Sequence, residues 1–395
     1  MKPSPLIAIA PDSFKGTLSA AEAAAAIAAG VKRAIPRARF RLVPMADGGE
    51  GTVDAVIAAT QGQWQRCRVQ DPLGRPFTTR YGLVGKRTPR AVIEMAAASG
   101  LPLLKPAERN PLITGTEGTG ELLRDALTRG AQQIWMGIGG SATNDGGTGM
   151  ARALGIRFLD KHGRDLPRGG GALATLARID LDGLDPRVRQ VSIEVACDVT
   201  NPLCGPNGAS AVYGPQKGAT PAMVKQLDAG LKQLAKVVKQ QLGVDLVALP
   251  GAGAAGGLGF GLMAFCGARL RRGVEMVADA VELEKQCRGC DLVITGEGRM
   301  DGQTVCGKTP MGVAAVAGKV GVPVIAICGC TGKDWQNAHQ VGIAAIFSST
   351  TCRLTEEEVA SGAAERLTRS GEEVGRLLAI GSGNIMRTAK AQKLL

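Results

Sequence analysis

Leu6-Ile-Ala-Ile-Ala10 is an apolar run of strand length that stops at Pro11-Asp12, and the Ala-rich segment Ser19 to Lys32 behind it is of helix length. A second strand-like segment at Phe40 to Val43 and a helical one from about Gly51 to Ala59 complete a βαβα pattern, which builds a parallel sheet. The first run is too short for the apolar core of a secretory leader and reads as a buried strand.

Outward from this opening the texture changes. From Val69 to Ala97 short alternating segments surround Pro72, Gly74, Pro76 and Gly82, which predicts hairpin strands and a domain boundary. Beyond it the pattern predicts a helix at Glu117 to Leu127, strands at Ile134 to Gly137 and Val191 to Ala196, a long helix at Pro221 to Gln241 and another helix after Gly256. The opening pattern then returns, with strands at Leu292 to Thr295 and Val324 to Ile327 and a helix at Met311 to Lys319 between them. The expectation is an α/β protein in which residues 1–75 and 287–395 share one sheet and residues 76–286 form an inserted α/β domain. Two consecutive domains are the alternative. A chain of 395 residues exceeds what one hydrophobic core usually serves, in keeping with two domains.

The formal net charge of +12 admits nucleic acid, an anionic membrane or small anionic substrates as partners. The basic residues are scattered, as in Arg37, Arg39 and Arg41, and aromatic content is only 3%, so stacking platforms for bases are scarce. No nucleic-acid partner is expected. The stretch Gly251 to Ala268 is uncharged but dominated by Gly and Ala, so no membrane segment is expected either. Ten dispersed cysteines and no leader predict a reduced, cytoplasmic protein. The Cys287-x-x-Cys290 pair has no second pair and no neighbouring His, and reads as buried thiols.

Three segments imitate nucleotide motifs. Gly302 to Thr309 matches the phosphate-binding loop Gly-x4-Gly-Lys-Ser/Thr, yet Gly296 to Asp301 separate it from the preceding strand, whereas a true P-loop runs directly out of one. Gly251-Ala-Gly-Ala-Ala-Gly256 and Gly137-Ile-Gly-Gly-Ser-Ala142 match dinucleotide fingerprints without the full strand, turn, helix and acidic residue. Tight turns and helix packing explain them equally well. What they share is backbone amides beside helix starts, a cradle for phosphate oxygens.

Phosphoryl transfer from a nucleotide to an alcohol needs groups around the phosphates, carboxylates, and an acceptor for the hydroxyl proton. Asp12-Ser13-Phe14-Lys15-Gly16 follows the first strand, at the carboxyl end where open α/β sheets bind ligands. Asp47-Gly-Gly-Glu50 sets two carboxylates among glycines before a helix, for a ligand or for helix capping. Gly139 to Gly147 packs hydroxyls, amides and Asp145 into one turn, Asp198 follows another strand, and Gly296-Glu-Gly-Arg-Met-Asp301 follows a third. Two histidines, His162 and His339, lie outside these loops, which leaves little for a histidine-based hydrolase or a zinc site.

Taken together, Pro11 to Gly16, Pro44 to Thr52, Gly137 to Gly147, Gly214-Pro-Gln-Lys-Gly-Ala219 and Asp291 to Arg299, with Gln303-Thr304 before Gly307-Lys308, resemble the bacterial glycerate kinase family, type 1. The resemblance runs from Ile7 to about Phe347. It implies a flavodoxin-like domain formed by both chain ends with a second domain inserted, ATP with Mg2+, and D-glycerate as acceptor with 2-phosphoglycerate as the usual product. Thr309 departs from it, in a place where the family more often carries Ala.

Site roles are assigned on chemistry. Asp198 is expected to orient or deprotonate the glycerate hydroxyl, Lys15 to meet the transferred phosphoryl or the substrate carboxylate, and Asp47 to be a second acid. Ser13, Glu297, Arg299 and Asp301 are expected substrate contacts, with Glu297 and Asp301 also candidates for Mg2+. Gly139, Gly140, Ser141, Thr143, Asn144 and Gly256 are expected at the ATP phosphates. A 3-phosphoglycerate-forming kinase, an NAD-dependent oxidoreductase and a nucleotide-binding regulator are the alternatives. The quaternary expectation is a monomer or homodimer.

Overall fold

The computed structural model describes residues 4–85, 87–302, 304 and 308–381. The chain is α/β and divides into two compact units, one of residues 1–47, 54–59 and 274–395, the other of residues 48–53 and 60–273. The change of unit thus falls at Thr60 and after Gly273, ahead of the boundaries at 75 and 286 suggested by the sequence. Hydrogen bonding is the reason: Gln63–Gln70 pairs along its whole length with Pro76–Val84 as an antiparallel hairpin, so both strands belong to the second unit. Asp71 shapes the turn between them, its Oδ1 accepting the Leu73 and Arg75 amides at 2.8 and 2.9 Å.

The first unit holds a five-stranded, wholly parallel sheet in the order Ile343–Ser348, Val324–Cys328, Leu292–Gly296, Leu6–Pro11, Arg39–Leu42. From Leu6–Pro11 the chain moves to one side, to Arg39–Leu42. From the neighbouring strand Leu292–Gly296 it moves to the other. The connections therefore reverse between these two strands, and the crevice at their carboxyl ends is where such sheets bind ligands. Strand residues Ile7, Ile9, Ile294, Ile325 and Ile327 are buried with Ile27 and Val31 of the helix Ala20–Ala34 and Leu367 and Val374 of the helix Ala363–Gly381. The first of these helices starts where the sequence reading began it. Ser19 caps it, accepting the Glu22 amide on its hydroxyl, while Glu22 accepts the Ser19 amide at 2.9 Å.

The second unit holds a six-stranded mixed sheet in the order Arg269–Arg271, Ser192–Ala196, Gln133–Gly137, Arg90–Glu94, Pro76–Val84, Gln63–Gln70. Its four parallel strands follow one another in sequence order, so the connections do not reverse. Its core gathers Ile93, Ile134, Met136, Phe158, Leu231, Leu234 and Phe260, with Phe158 edge-on to Phe265 at 5.5 Å between ring centroids. The helix expected after Gly256 is present as Ala254–Cys266, but Ala255, Gly256 and Gly257 are left-handed, so its regular part follows Gly257. Among the described residues no helix is long and apolar enough to cross a membrane.

Candidate active site

In the first unit, the carboxyl ends of Leu6–Pro11 and Leu292–Gly296 open into a cavity of about 490 Å³. Asp12, Ser13, Lys15, Asp47, Glu297, Arg299 and Lys308 line it, together with Leu354, Val359, Ala363, Arg366 and Leu367. Asp12, Ser13, Lys15, Glu297 and Arg299 come from loops that leave the sheet at the reversal. The backbone fixes these loops: the Asp12 amide donates to the Gly296 carbonyl at 2.8 Å, Gly329 to Glu297 at 3.1 Å, and Cys330 to Gly298 at 3.0 Å.

Two carboxylates here are nearly out of water. Asp12 is 5% exposed, and its Oδ1 accepts the Ser13 amide at 2.6 Å while Oδ2 accepts the Thr309 hydroxyl at 2.5 Å. Burial, aided by the charge of Asp47, pushes Asp12 up to about 6, against the pull of Thr309, Ser13 and Lys15. Glu297 is 8% exposed and accepts the Thr304 hydroxyl on Oε1 at 2.7 Å. Burial lifts it to about 7, opposed by that hydrogen bond and by Lys308.

The cations stand in partly exposed positions around these carboxylates. Lys15 Nζ lies 3.8 Å from Asp47 Oδ2, and Arg299 Nε 3.4 Å from Asp301 Oδ2. Lys308 Nζ is 4.0 Å from both Glu297 Oε2 and Asp301 Oδ1. An ammonium thus already serves the pair expected to hold Mg2+, and among the described residues no three His, Cys, Asp or Glu side chains group as a metal site. Glu297 and Asp301 fit an ion-pair cluster facing a small charged ligand better than a protein-built metal cage.

Of the polar residues of this cavity the sequence reading gave a site role to Ser13, Lys15, Asp47, Glu297 and Arg299, and none to Asp12, Thr17, Lys308, Ser349, Thr350 or Arg366. The signal for Asp12 was present: it is the first residue past the strand, in the same loop as Ser13 and Lys15. The literal P-loop match is not a P-loop where it can be seen. Thr309 turns its hydroxyl to Asp12, and Lys308 precedes the helix Thr309–Lys319 with its ammonium among carboxylates. Gln303 and Gly307, which carried part of the resemblance, lie outside the described residues, as do Val305 and Cys306 of the same match.

The remaining expected residues fall in the second unit. After the strand Gln133–Gly137 the backbone of Gly139 and Gly140 is exposed, with Gly140 left-handed (φ 71°), and Ser141 is nearly buried. Thr143 and Asn144 are wholly buried; the Asn144 amide donates to the Ser210 hydroxyl at 3.0 Å, and Lys217 Nζ, also buried, donates to the Thr143 carbonyl at 2.6 Å. Burial brings Lys217 down to about 7. Asp145 ties this loop to the next helix, accepting the Thr116 amide and hydroxyl and the Gly149 amide on Oδ2. The surface a phosphate could reach is therefore Gly139 to Ser141, with Thr143 and Asn144 as its buried support.

Gly256 is left-handed, its carbonyl accepts the Gly146 amide at 3.0 Å, and a Cβ on it would fall 2.7 Å from the Asn144 Cα. Close packing of two loops accounts for this glycine, and with it for the fingerprint at Gly251 to Gly256. Gly48 has a similar explanation. A Cβ there would fall 2.5 Å from the Ala196 Cβ and 2.9 Å from the Gly273 Cα, so a neighbouring strand end, rather than a ligand, demands the glycine. Asp198 is exposed just past Ser192–Ala196, and its Oδ1 accepts the Gly273 amide at 3.1 Å.

A doubly wound sheet with a charged cavity at its reversal point marks an α/β protein built to bind a small charged ligand. Comparison with known proteins narrows the class. The glycerate kinase family model matches residues 7–379. A glycerate 2-kinase of Escherichia coli K12 is 51% identical over 378 residues, 96% of this chain and 99% of that protein. A glycerate kinase of Halalkalibacterium halodurans is 54% identical over 342 residues, 87% of this chain and 90% of that one. The crystal structure of a candidate glycerate kinase 2 from Salmonella typhimurium LT2 superposes with a TM-score of 0.88 at 49% identity, covering 96% of this chain and 100% of that one. The chain belongs to the glycerate kinase family, and it is a kinase.

Proposed function

We propose that this enzyme transfers the γ-phosphoryl group of ATP to the 2-hydroxyl of D-glycerate, giving 2-phosphoglycerate and ADP. The observation that carries the reading is the cavity at the sheet reversal, where buried carboxylates stand beside Lys15, Arg299 and Lys308. Glycerate offers one carboxylate and adjacent hydroxyls; cations at the cavity rim suit the carboxylate and the incoming phosphoryl, and carboxylates suit the hydroxyls. Ser13 and Arg299 are the substrate contacts, Lys15 pairs with the transferred phosphoryl or the glycerate carboxylate, and Asp47 holds Lys15 in place. Exposed amides at Gly139 to Ser141 are the phosphate cradle of the nucleotide. Mg2+ enters with the ATP phosphates, which need only one or two protein oxygens to complete its shell, and there it offsets charge on the transferred group.

In this reading the unit formed by both chain ends is the flavodoxin-like domain and the other unit the inserted one. The protein works as a monomer or homodimer without nucleic acid, in the reduced cytoplasm, where the nine described cysteines, all free thiols, are stable. The 2-position follows the name of the Escherichia coli relative.

Proton-coupled 31P NMR of the product tests this directly. A phosphorus coupled to the single hydrogen of C2 gives a doublet, the expected result. A triplet from the two hydrogens of C3 would transfer the assignment to 3-phosphoglycerate.

A further inference from the structure

Asp12 leaves the strand Leu6–Pro11 where the connections of the sheet reverse, and its carboxylate is held from two sides. Each oxygen of an ionised carboxylate offers two lone-pair directions; Oδ1 accepts the Ser13 amide at 2.6 Å and the Ser13 hydroxyl at 3.3 Å, and Oδ2 accepts the Thr309 hydroxyl. Oδ1 is thereby filled, and a second direction on Oδ2 is left for a ligand in the cavity that Asp12 lines. The Thr309 bond joins residues 297 positions apart, and the Thr309 side chain is wholly buried, so its hydroxyl serves Asp12 and no solvent.

We propose that Asp12 is the catalytic residue that accepts the proton of the glycerate hydroxyl, and that Thr309 is the positioning residue that keeps its carboxylate ionised and aimed into the cavity. The proposal rests on the glycerate kinase reading above. In the step, the hydroxyl oxygen bonds to the γ-phosphorus, and the bond from that phosphorus to the bridging oxygen breaks with its electron pair leaving on ADP. The hydroxyl proton passes to an Asp12 oxygen and from there to water.

The surroundings of Asp12 favour this role over the other buried carboxylate of the cavity. Glu297 accepts the Thr304 hydroxyl on Oε1 and has the Lys308 ammonium 4.0 Å from Oε2, so a cation already faces the oxygen that its hydrogen bond leaves open. Around Asp12, Asp47 raises the proton affinity, Lys15 lowers it, and Glu297 stands near enough to feel its charge. Asp12 at about 6 is ionised at neutral pH yet basic enough to take a proton. A hydrogen bond to the ionised form lowers a carboxyl pKa, so removing the Thr309 hydroxyl raises it, and activity that needs the ionised form is then lost at a higher pH.

Steady-state kinetics of wild type, D12N, T309A and T309S between pH 5 and 8.5, with ATP, Mg2+ and D-glycerate, test the proposal, with thermal melts as fold controls. Folded D12N should lose at least about 10²-fold in kcat, the usual range for a lost proton acceptor. The acid limb of kcat/KM should move up by about one pH unit in T309A and return in T309S, since a hydrogen bond to a charged group is worth about one to two pKa units. A merely structural Thr309 would lower rates without moving the limb. Folded D12N within tenfold of wild type, or an unmoved limb in T309A, overturns the proposal, and the limb alone decides if D12N fails to fold. Wild type that shows no D-glycerate-dependent turnover refutes the kinase reading itself, a separate outcome.

Discussion

At the scale of single residues, the chemistry of this protein rests on side chains whose surroundings differ sharply within one loop. Asp12 and Glu297 are buried and hydrogen-bonded to threonines, whereas Lys15 and Arg299 reach into water. Asp198 is different again, an exposed carboxylate whose Oδ1 accepts the Gly273 amide. If it orients the glycerate hydroxyl as the loop position suggested, D198N should keep the wild-type melting temperature and lose about 10²-fold in kcat, the cost of a misplaced reactant. A near-normal rate removes Asp198 from the mechanism. Much of this level was legible beforehand, because residues that follow strands in glycine-rich loops announce themselves: Ser13, Lys15, Asp47, Glu297, Arg299 and Asp301 all fall in or beside the cavity. The partners of Asp12 were not legible. Nothing local in the sequence says that Thr309 reaches back across the whole chain to a residue in the first loop. Nor could it say that neighbouring loops and strand ends pack closely on Gly256 and Gly48, since a glycine approached by backbone and one approached by phosphate look alike in sequence.

At the scale of elements, strands and long helices were legible because their apolar patterns match their structural periods. Pro221 to Gln241 was read almost to its observed span Pro221–Leu242, capped by Thr220 and closed by the left-handed Gly243. The elements missed were those with weak patterns. The strand Ile343–Ser348 lies at the sheet edge with most residues only partly buried, and the helix Ala363–Gly381 carries charge on much of its surface. That last helix nevertheless closes the first unit, packing on Ala20–Ala34 closely enough that a Cβ on Gly371 would fall 2.5 Å from the Ile27 carbonyl oxygen. Backbone at that range cannot yield without parting the helices. G371A is therefore expected to destabilise the protein by about 1–3 kcal/mol, as overpacking usually does. A melting temperature within 1 °C of wild type, about the experimental scatter, would show that the two helices separate freely.

At the scale of the whole molecule, the two large sheets differ in strand direction, one wholly parallel and the other mixed, and in how their connections run. Only the sheet built from both chain ends reverses its connections, and the charged cavity lies at that reversal. The sequence suggested that both ends share a sheet because the closing strand, helix, strand pattern repeats the opening one. The two units change at residues 47, 53, 59 and 273; pairing of Gln63–Gln70 with Pro76–Val84 places in the second unit a segment that the expected boundary at 75 left with the opening. A formal charge of +12 suits an enzyme whose acceptor and phosphoryl donor are both anions. The central claim, that this molecule is an ATP-dependent D-glycerate kinase, is tested most directly by ADP release from the purified protein supplied with ATP and Mg2+, with and without D-glycerate. The account predicts turnover that depends on D-glycerate and saturates with it; ADP release no faster than in the glycerate-free control would contradict it.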